Sequence, residues 1–345
     1  GMHIMIREGT QAKNVRDLLP LVTPGNNRRC SLVTDDLHPH DLLGKGHIDH
    51  LLNLAIGQGM DPIEAIRMVT CNPAQHFGLR DVGAVAPGYR ADLLILSSLS
   101  PIQVRSVIKK GRRVYHEGLF KVRSGQATQL RQVGVLNVRP FGRDALAVPS
   151  SVGKIRVIAL VPDQILTRSL LLAPTVLDGA VVSDVGRDIL KLIVVERHRA
   201  TGRIGVGFVR GFGLKEGALV SSVAHDSHNI IAVGCNDGDL HTAVKAVEEM
   251  NGGLAAVRNG EVLGRLPLPI AGLMSDRPLA EVARGWEALR RIARDLGSIP
   301  AEPFMVLSFL ALPVIPELKL TDGGLVDVNL FRHVPLFVGS GGTGG

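Results

Sequence analysis

Two carboxylates come directly after a short apolar run near the start of the chain. The segment Cys30–Val33 is typical of a buried strand, and Thr34, Asp35 and Asp36 follow it at once. In parallel α/β folds the carboxyl ends of the strands carry the active site. A carboxylate there can ligate a divalent metal or take a proton from metal-bound water. Aspartate also caps helices and closes turns, so the pattern alone leaves both interpretations open.

A third carboxylate, Glu8, ends the earlier apolar segment His3–Glu8. It lies on the same rim as Asp35 if the two strands are parallel neighbours, and an ion pair of Arg7 with Glu8 or Asp35 is the alternative. His38 and His40 resemble a metal-binding pair in their spacing, but Pro39 between them favours a loop, where two histidines need not converge.

The densest polar cluster of the sequence is His225, Asp226, Ser227, His228 and Asn229, between the apolar segments Ala218–Val223 and Ile230–Gly234. Two histidines and an aspartate are able to bind a metal or polarise a substrate. Five polar residues between two strands also form an ordinary turn, so the functional and structural interpretations both remain.

Elements that would position these residues alternate between strand and helix over the first 80 residues, which predicts an α/β unit with parallel strands. Asp61 and Pro62 predict a capped helix that ends before Asn72-Pro73. Short strands follow from about Gly83, and strands recur between Lys154 and Val262. Two further helices are predicted at Asp239–Asn251 and Leu279–Leu296, the second capped by Asp276.

Composition excludes several classes of protein. The 345 residues contain 45% hydrophobic residues, so global disorder is excluded, and no apolar run approaches the roughly 20 residues of a membrane span. The net charge is +7, but basic residues form small groups such as Arg197–Arg199, and 3% aromatic residues offer few platforms for bases. We therefore expect a solvated basic surface and no nucleic acid partner. Three scattered cysteines indicate a reducing cytoplasm.

Several motifs resemble bacterial adenine deaminase of the amidohydrolase superfamily. In the first third these are Ile4-Met-Ile-Arg-Glu-Gly, Thr34-Asp-Asp-Leu-His-Pro, Thr70-Cys-Asn-Pro-Ala and Pro87-Gly-x-x-Ala-Asp-Leu. Later ones are Gly205-Val-Gly-Phe-Val, Ser221-Ser-Val-Ala-His-Asp-Ser-His-Asn-Ile, Leu266-Pro-Leu-Pro-Ile-Ala-Gly-Leu-Met-Ser and Pro303-Phe-Met-x-Leu-Ser-Phe-Leu-Ala-Leu-Pro. The resemblance covers nearly the whole chain.

The resemblance implies a mixed α/β and α+β fold with a C-terminal remnant of a (β/α)8 barrel of metal-dependent hydrolases over residues 1–80. A small β-sandwich segment over 81–125 would follow, and then the adenine deaminase C-terminal α+β domain over 154–338. Outside the resemblance, polar residues, glycine and proline predict a linker over 126–153, and glycines predict a flexible tail over 339–345. The resemblance also implies hydrolysis of adenine to hypoxanthine and ammonia by metal-activated water, with manganese or iron as the metal.

In that scheme Asp35 touches the metal and shuttles the proton, while Glu8 and Asp36 occupy nearby motif positions. The family takes its His-x-His pair from the first barrel strand, and His38 and His40 follow Asp35 instead of preceding it. We therefore expect a truncated deaminase that is inactive alone, because one carboxylate cannot hold a catalytic metal.

We also expect a homo-oligomer or a partner chain that covers the open barrel strands. The alternative function is a purine-binding or assembly module without catalysis, with His225, Asp226, His228 and Asn229 as a substrate or secondary site.

Overall fold

The computed structural model describes residues 1–10, 12–120, 136–162 and 164–339. They belong to two compact units, residues 1–130 and 131–345. Both units combine helices with sheets, which confirms the predicted mixed character of the fold. The predicted linker lies outside the described residues as far as residue 135, and so does the predicted tail from residue 340 onward.

Two parallel strands open the first unit. Strand β1 (Ile4–Glu8) pairs with β2 (Cys30–Thr34) in the register that sets Glu8 opposite Thr34. Ile6 and Leu32 are buried in a core that also contains Leu51 and Met68. The strands are parallel neighbours, as predicted, so their carboxyl ends share one edge.

Helices of the first unit connect and follow these strands. They are α1 (Val15–Leu18), α2 (Pro39–Gly44), α3 (Ile48–Gly57), α4 (Pro62–Val69) and α5 (Cys71–His76), with single 3-10 turns at Leu19–Leu21 and Asn27–Arg29. Asp61 caps α4 as predicted, because its carboxylate accepts hydrogen bonds from the Ile63 and Glu64 amides at 3.0 Å. α4 ends at Val69, before Asn72-Pro73 as predicted, but the separate helix α5 was not predicted. α5 contains both residues, and Pro73 lies in its first turn, where its missing N–H has no intrahelical role.

An antiparallel sheet follows in the same unit. Its strands are β3 (Leu93–Leu99), β4 (Ile102–Lys109), β5 (Arg112–His116) and β6 (Leu119–Phe120), paired in that order. A turn at Lys110-Gly111 connects β4 to β5, and both residues have positive φ. Short strands were predicted from about Gly83 onward, and β3 to β6 are these strands.

The second unit is built on a sheet of nine described strands. Their order is β16-β15-β13-β14-β11-β12-β7-β20, with β8 added to the other edge of β7, and the β12–β7 pairing is parallel. The strands are β7 (Lys154–Leu160), β8 (Thr167–Leu172), β11 (Ile189–Val195), β12 (Ile204–Arg210), β13 (Ala218–Ser221), β14 (Ile230–Gly234), β15 (Gly253–Arg258), β16 (Glu261–Pro267) and β20 (Phe337–Val338). Two small sheets accompany it, formed by β9 (Thr175–Leu177) with β10 (Ala180–Val182) and by β17 (Leu318–Thr321), β18 (Gly324–Asp327) and β19 (Arg332–His333).

Three helices cover the faces of the large sheet. They are α6 (Asp237–Glu249), α7 (Leu279–Asp295) and α8 (Pro303–Phe309). α6 covers one face, and α7 and α8 pack on the other together with β17 and β18. Asn236 caps α6, but the predicted cap of α7 by Asp276 is wrong. Pro278 occupies the N-cap position and no side chain closes that end, because Asp276 precedes the cap by two residues.

Strand β11 is buried on both faces. All seven of its residues are buried, including Lys191, whose side chain is 2% exposed. The Lys191 ammonium donates to Asp237 Oδ1 at 2.6 Å and to the Leu146 carbonyl at 2.9 Å. The charge can remain in the core only because these two acceptors reach it.

None of the helices in the described ranges has the length and apolar character that crossing a bilayer requires.

Removing the carboxylate partner of Lys191 should destabilise the second unit. We expect Asp237→Ala to lower the free energy of unfolding by about 3 kcal/mol, because a buried ammonium loses its counter-charge. Urea unfolding followed by the fluorescence of the single tryptophan, Trp286, measures this change. The double variant Lys191→Met/Asp237→Ala is the control and should recover most of the stability. Equal losses in the single and double variants would contradict the assignment.

Candidate functional site

The carboxyl ends of β1 and β2 bring the predicted carboxylates to one rim. Glu8 ends β1, and Asp35 and Asp36 follow β2 directly. The Thr10 amide donates to the Asp36 carbonyl at 2.9 Å, so the loops after the two strands are in contact. Gly9 permits this approach, because a Cβ at residue 9 would lie 2.7 Å from Cβ of Asp35.

Asp35 is held by two hydrogen bonds. The Arg7 guanidinium donates to Oδ2 at 2.6 Å, and the Asp36 amide donates to Oδ1 at 2.7 Å. The ion pair that the sequence offered as an alternative is therefore present, but it is not buried, since the Arg7 side chain is 45% exposed. A pair this exposed contributes at most about 1 kcal/mol to stability. Its main effect is to fix the direction of the carboxylate.

Glu8 has a structural contact as well. Its Oε2 accepts a hydrogen bond from the Val15 amide at 3.2 Å, at the first residue of α1, where amides lack intrahelical acceptors. Glu8 also lines a cavity of about 140 Å³ between the rim and α2 and α3. The other polar or charged side chains around this cavity are Lys13, Thr34, Asp41, Lys45, His47 and His50.

Sequence reasoning missed Asp41, a buried carboxylate of this cavity. It accepts from the Thr10 hydroxyl at 2.6 Å and from the Lys45 ammonium at 2.7 Å. Burial alone would raise the pKa of Asp41, but the hydrogen bonds from Lys45 and Thr10 outweigh it and lower that pKa. The spacing of Asp41 and Lys45, four residues apart before an apolar stripe, was the available signal.

The His38 and His40 rings do not share one face of a strand. His38 occupies the N-cap position of α2, and Pro39 begins that helix. The two ring centroids are 5.6 Å apart with planes at 66°, an edge-to-face contact. We expected His38 and His40 to lie in a loop, but they lie at the start of a helix.

A divalent metal fits this rim only in part. Carboxylate oxygens are ligands that manganese and iron accept, and Asp35 supplies one carboxylate. Within the described residues of the first unit taken by itself, no three histidine, cysteine or acidic side chains bring donor atoms within 4.8 Å of one another. A catalytic metal commonly has three protein ligands. The described residues of the rim by themselves therefore offer fewer donors than a catalytic metal commonly takes.

The second polar cluster lies in the segment between β13 and β14, which we call the 222–229 loop. The His225 amide donates to the Ser308 hydroxyl at 3.2 Å, and the His225 ring stacks on Phe309 with centroids 4.7 Å apart. Asn229 is 3% exposed and donates through Nδ2 to Asp322 Oδ1 at 3.2 Å. Asp226 points outward, with 83% of its side chain exposed.

His228 does not join His225 and Asp226 in a metal site, because one donor from each does not come within 4.8 Å of the others. Burial lowers the pKa of His228, and the neighbouring Arg197, His225 and His198 lower it further, against the opposing charge of Asp226. His228 is therefore more weakly basic than an ordinary histidine. Its Nδ1 is buried and has no hydrogen-bond partner among the residues that the structure describes.

Arg197 anchors the 222–229 loop. It lies just beyond β11, is 5% exposed, and donates from Nε to the His228 carbonyl and from Nη2 to the Ala271 carbonyl at 3.0 Å. The expectation that Arg197–Arg199 form a solvated basic group is wrong for Arg197, because the loop covers it. It is right for Arg199, which is exposed.

Glu196 holds the turn next to Arg197. Its carboxylate accepts from the amides of His198, Arg199 and Thr201 at 2.6–2.9 Å and from the Thr201 hydroxyl at 2.9 Å. Burial would raise the pKa of Glu196, but these hydrogen bonds reverse the effect and lower it from 4.5 to about 2. The Glu196 carboxylate therefore serves to hold the turn of residues 196–201.

This low pKa predicts a pH-dependent contribution to stability. The folded state binds the proton of Glu196 less readily than the unfolded state, so the contribution is complete above pH 4.5 and disappears as the pH falls toward 2. We expect Glu196→Gln to lower the free energy of unfolding by about 2 kcal/mol at pH 7 and by much less at pH 2.5. Denaturant titrations at both pH values measure it, with the exposed Glu261→Gln as the control. A pH-independent loss would contradict this origin.

Two family models match the chain. The adenine deaminase C-terminal domain matches residues 164–332, and the amidohydrolase family matches residues 3–114. The first match contains the 222–229 loop and Arg197, and the second contains the rim with Glu8 and Asp35. Both regions singled out by their geometry therefore fall within the matched ranges.

Curated relatives match almost the entire chain. A protein named adenine deaminase from Desulfatibacillum aliphaticivorans is 52% identical over 337 residues, which are 98% of this chain and 59% of that protein. Adenine deaminases of Methanothrix thermoacetophila and of Dehalococcoides mccartyi strain 195 are 48% and 46% identical, again over 59% of their length. The chain thus spans about three fifths of these relatives.

Proposed function

The chain belongs to the adenine deaminase family, and from this membership we propose that it takes part in the hydrolytic deamination of adenine to hypoxanthine and ammonia. The single observation that supports a catalytic role for its own residues is the parallel β1–β2 pairing. That pairing puts Asp35 and Glu8 on one rim above a polar cavity.

We propose the family's domain order for this chain. Residues 1–80 would form the C-terminal remnant of a (β/α)8 barrel, 81–125 a segment of a small β-sandwich, 126–153 a linker and 154–338 the adenine deaminase C-terminal domain, followed by the tail 339–345. The β/α alternation up to α5 and the four antiparallel strands β3–β6 support the first two assignments.

Asp35 is the proposed catalytic carboxylate and the proposed metal ligand. Its ion pair with Arg7 fixes the position of the carboxylate, and an ionised carboxylate in that place can accept a proton from the attacking water and pass it on. Asp36 and Glu8 would line the approach to it, with Glu8 also holding the start of α1. The adenine substrate would lie on this side of the rim.

The metal, of the manganese or iron type, would need ligands beyond those of the rim. We propose that these correspond to the part of the curated relatives that residues 1–345 do not match, and that residues 1–345 alone are inactive. The exposed strand β1, with Ile4 and Met5 each more than 40% exposed, supports a surface that pairs with another polypeptide.

We also propose that the purified chain self-associates when the unmatched part of the relatives is absent, and a monomer by light scattering would contradict this.

We propose a cytoplasmic location. The three cysteines are unpaired, which supports it.

An assay of adenine turnover tests this function. We expect no hypoxanthine from the purified chain with added Mn²⁺ or Fe²⁺. We expect turnover after mixing with the part of a curated relative that this chain does not match. In that mixture Asp35→Asn should reduce kcat about a hundredfold or more, because general acid–base catalysis contributes at least that factor. Asp17→Asn, which changes an exposed carboxylate of α1 in the same unit, is the control and should leave kcat within a few fold.

Each outcome of this assay has a defined meaning. Turnover by the chain alone would contradict its proposed dependence on other polypeptide. Absence of turnover in a mixture whose components elute together from gel filtration would contradict the deaminase proposal, and failure to elute together would contradict the shared surface. Equal effects of Asp35→Asn and Asp17→Asn would remove the assignment of Asp35.

The second candidate function is purine binding or assembly without catalysis, centred on His225, Asp226, His228 and Asn229. The stacking of the His225 ring on Phe309 and the exposed Asp226 carboxylate support it. Calorimetry of the chain with adenine tests this candidate. A measurable heat that is lost in His225→Ala would support it, and no heat with the wild type would reject it.

A further inference from the structure

Asp41 is a buried carboxylate of the first unit to which the proposed deamination assigns no role. The residue is 4% exposed, its Oδ2 accepts from the Thr10 hydroxyl at 2.6 Å, and its Oδ1 accepts from the Lys45 ammonium at 2.7 Å. A carboxylate remains in the interior only when charged or hydrogen-bonding partners offset the loss of water. Because Thr10 follows β1 and Lys45 follows α2, Asp41 connects two separate segments of the unit.

Asp41 also fixes the direction of the Thr10 hydroxyl. Burial alone would raise the pKa of Asp41, but the hydrogen bonds from Lys45 and Thr10 lower that pKa, so the group is ionised near neutral pH. An ionised carboxylate accepts hydrogen bonds and donates none, so the hydroxyl hydrogen of Thr10 must point at Asp41. The Thr10 oxygen is left as an acceptor, and the His38 amide donates to it at 3.1 Å. The Thr10 side chain is therefore held at both Asp41 and the N-cap residue of α2.

The backbone of Thr10 carries this restraint to the rim. Its amide donates to the Asp36 carbonyl at 2.9 Å, and the Asp36 amide donates to Asp35 Oδ1 at 2.7 Å. The carbonyl and the amide belong to one residue, so a shift of Thr10 changes the direction of the amide that holds Asp35. A series of hydrogen bonds thus connects the buried Asp41 carboxylate with the proposed catalytic carboxylate.

The other restraint on Asp35 is weaker. Arg7 donates to Oδ2 at 2.6 Å, but its side chain is 45% exposed, and salt screens an ion pair that is open to water. The connection through Thr10 begins at a carboxylate whose side chain is 5% exposed, where water competes little for the hydrogen bond. The connection to Asp41 is therefore the more rigid of the two.

We propose that Asp41 is a positioning residue for Asp35, acting through Thr10 and the Asp36 backbone. The inference rests on the proposed catalytic role of Asp35, and it assigns to Asp41 no contact with substrate or metal. A misplacement of about 1 Å in a reacting group can reduce a rate about a hundredfold. The alternative is a purely structural role, in which the Asp41–Lys45 ion pair stabilises α2 without effect on the rim.

Four variants separate positioning from a purely structural role. Thr10→Val removes the hydroxyl, keeps the branched shape and leaves the Asp41–Lys45 ion pair in place. Thr10→Ser keeps the hydroxyl and should retain the network. Asp41→Asn removes the charge at the buried end. Thr23→Val makes the first exchange at an exposed threonine of the same unit and is the control.

NMR of the purified chain reports on the network without any turnover. Selective isotope labelling of aspartate nitrogen shows the Asp36 amide, and Asp36→Asn identifies its signal. We expect Thr10→Val to shift this signal and to raise its hydrogen-exchange rate about tenfold, the equivalent of one lost hydrogen bond. Asp41→Asn should act in the same direction. Thr10→Ser and Thr23→Val should leave the shift and the exchange rate close to those of the wild type.

Kinetics of the mixture with the unmatched part of a curated relative give the consequence for the reaction. Thr10→Val should lower kcat about tenfold and leave KM within a few fold, because the network places a catalytic carboxylate and does not bind substrate. Thr10→Ser should retain most of the wild-type kcat. If Asp41→Asn does not fold, Thr10→Val decides the question, because it leaves the buried ion pair intact.

The two measurements separate this inference from the deaminase proposal. Absence of hypoxanthine from the wild-type mixture contradicts the deaminase proposal, whereas an unchanged Asp36 amide in Thr10→Val overturns the positioning role whatever the turnover. A changed amide with an unchanged kcat also overturns it, because the placement of Asp35 would then not affect the reaction. Equal losses of kcat in Thr10→Val and Thr10→Ser overturn it as well, since they would indicate packing and not the hydroxyl.

Discussion

The exclusion of water from both faces of the central sheet of the second unit is the constraint on which its other features depend. Alternate residues of β11 face two different cores, one under α6 and one under α7 and α8. Polar side chains cannot remain on such a strand unless acceptors reach them, as they reach Lys191. Polar chemistry is therefore displaced to the strand ends, where Glu196, Arg197 and the 222–229 loop are found.

The first unit follows the same principle on a smaller scale. Its two parallel strands bury Ile6 and Leu32, and the polar residues appear immediately after the last hydrogen-bonded pair, Glu8 with Thr34. The rim is then stabilised by contacts between its own loops and not by the sheet. Thr10 illustrates this, because it binds the Asp36 carbonyl through its amide and Asp41 through its hydroxyl.

Features governed by local sequence were predictable, and features governed by distant partners were not. The capping of α4 by Asp61 and the strand β14 depend on neighbouring residues, and both were predicted. The helix α5 was missed because proline in a first turn is tolerated where proline in an interior is not. The strands β15 to β18 were largely missed for another reason, because β15 pairs with β16 and β17 with β18 as neighbours along the chain. Five of the six residues of β15 are buried, so it lacks the apolar–polar alternation that identifies a strand.

The site shows the same division. The placement of Asp35 beside Glu8 followed from strand order alone, and the order proved to be parallel. The burial of Arg197 could not be read from Arg197–Arg199, where three basic residues look equivalent. Arg197 differs from Arg199 because it binds the carbonyls of three residues that are distant in the sequence, Ser222, His228 and Ala271.

Gly9 has a consequence for how substitutions at the rim are interpreted. Its missing side chain is the space in which Cβ of Asp35 lies, so the two positions share one volume. Any residue with a Cβ at position 9 would displace Asp35, because that Cβ would lie 2.7 Å from Cβ of Asp35 and 3.1 Å from the Asp36 carbonyl oxygen. Substitutions at Gly9 would therefore be harmful in a mutational scan although glycine has no functional group. Their effect would come from the changed position of the Asp35 carboxylate.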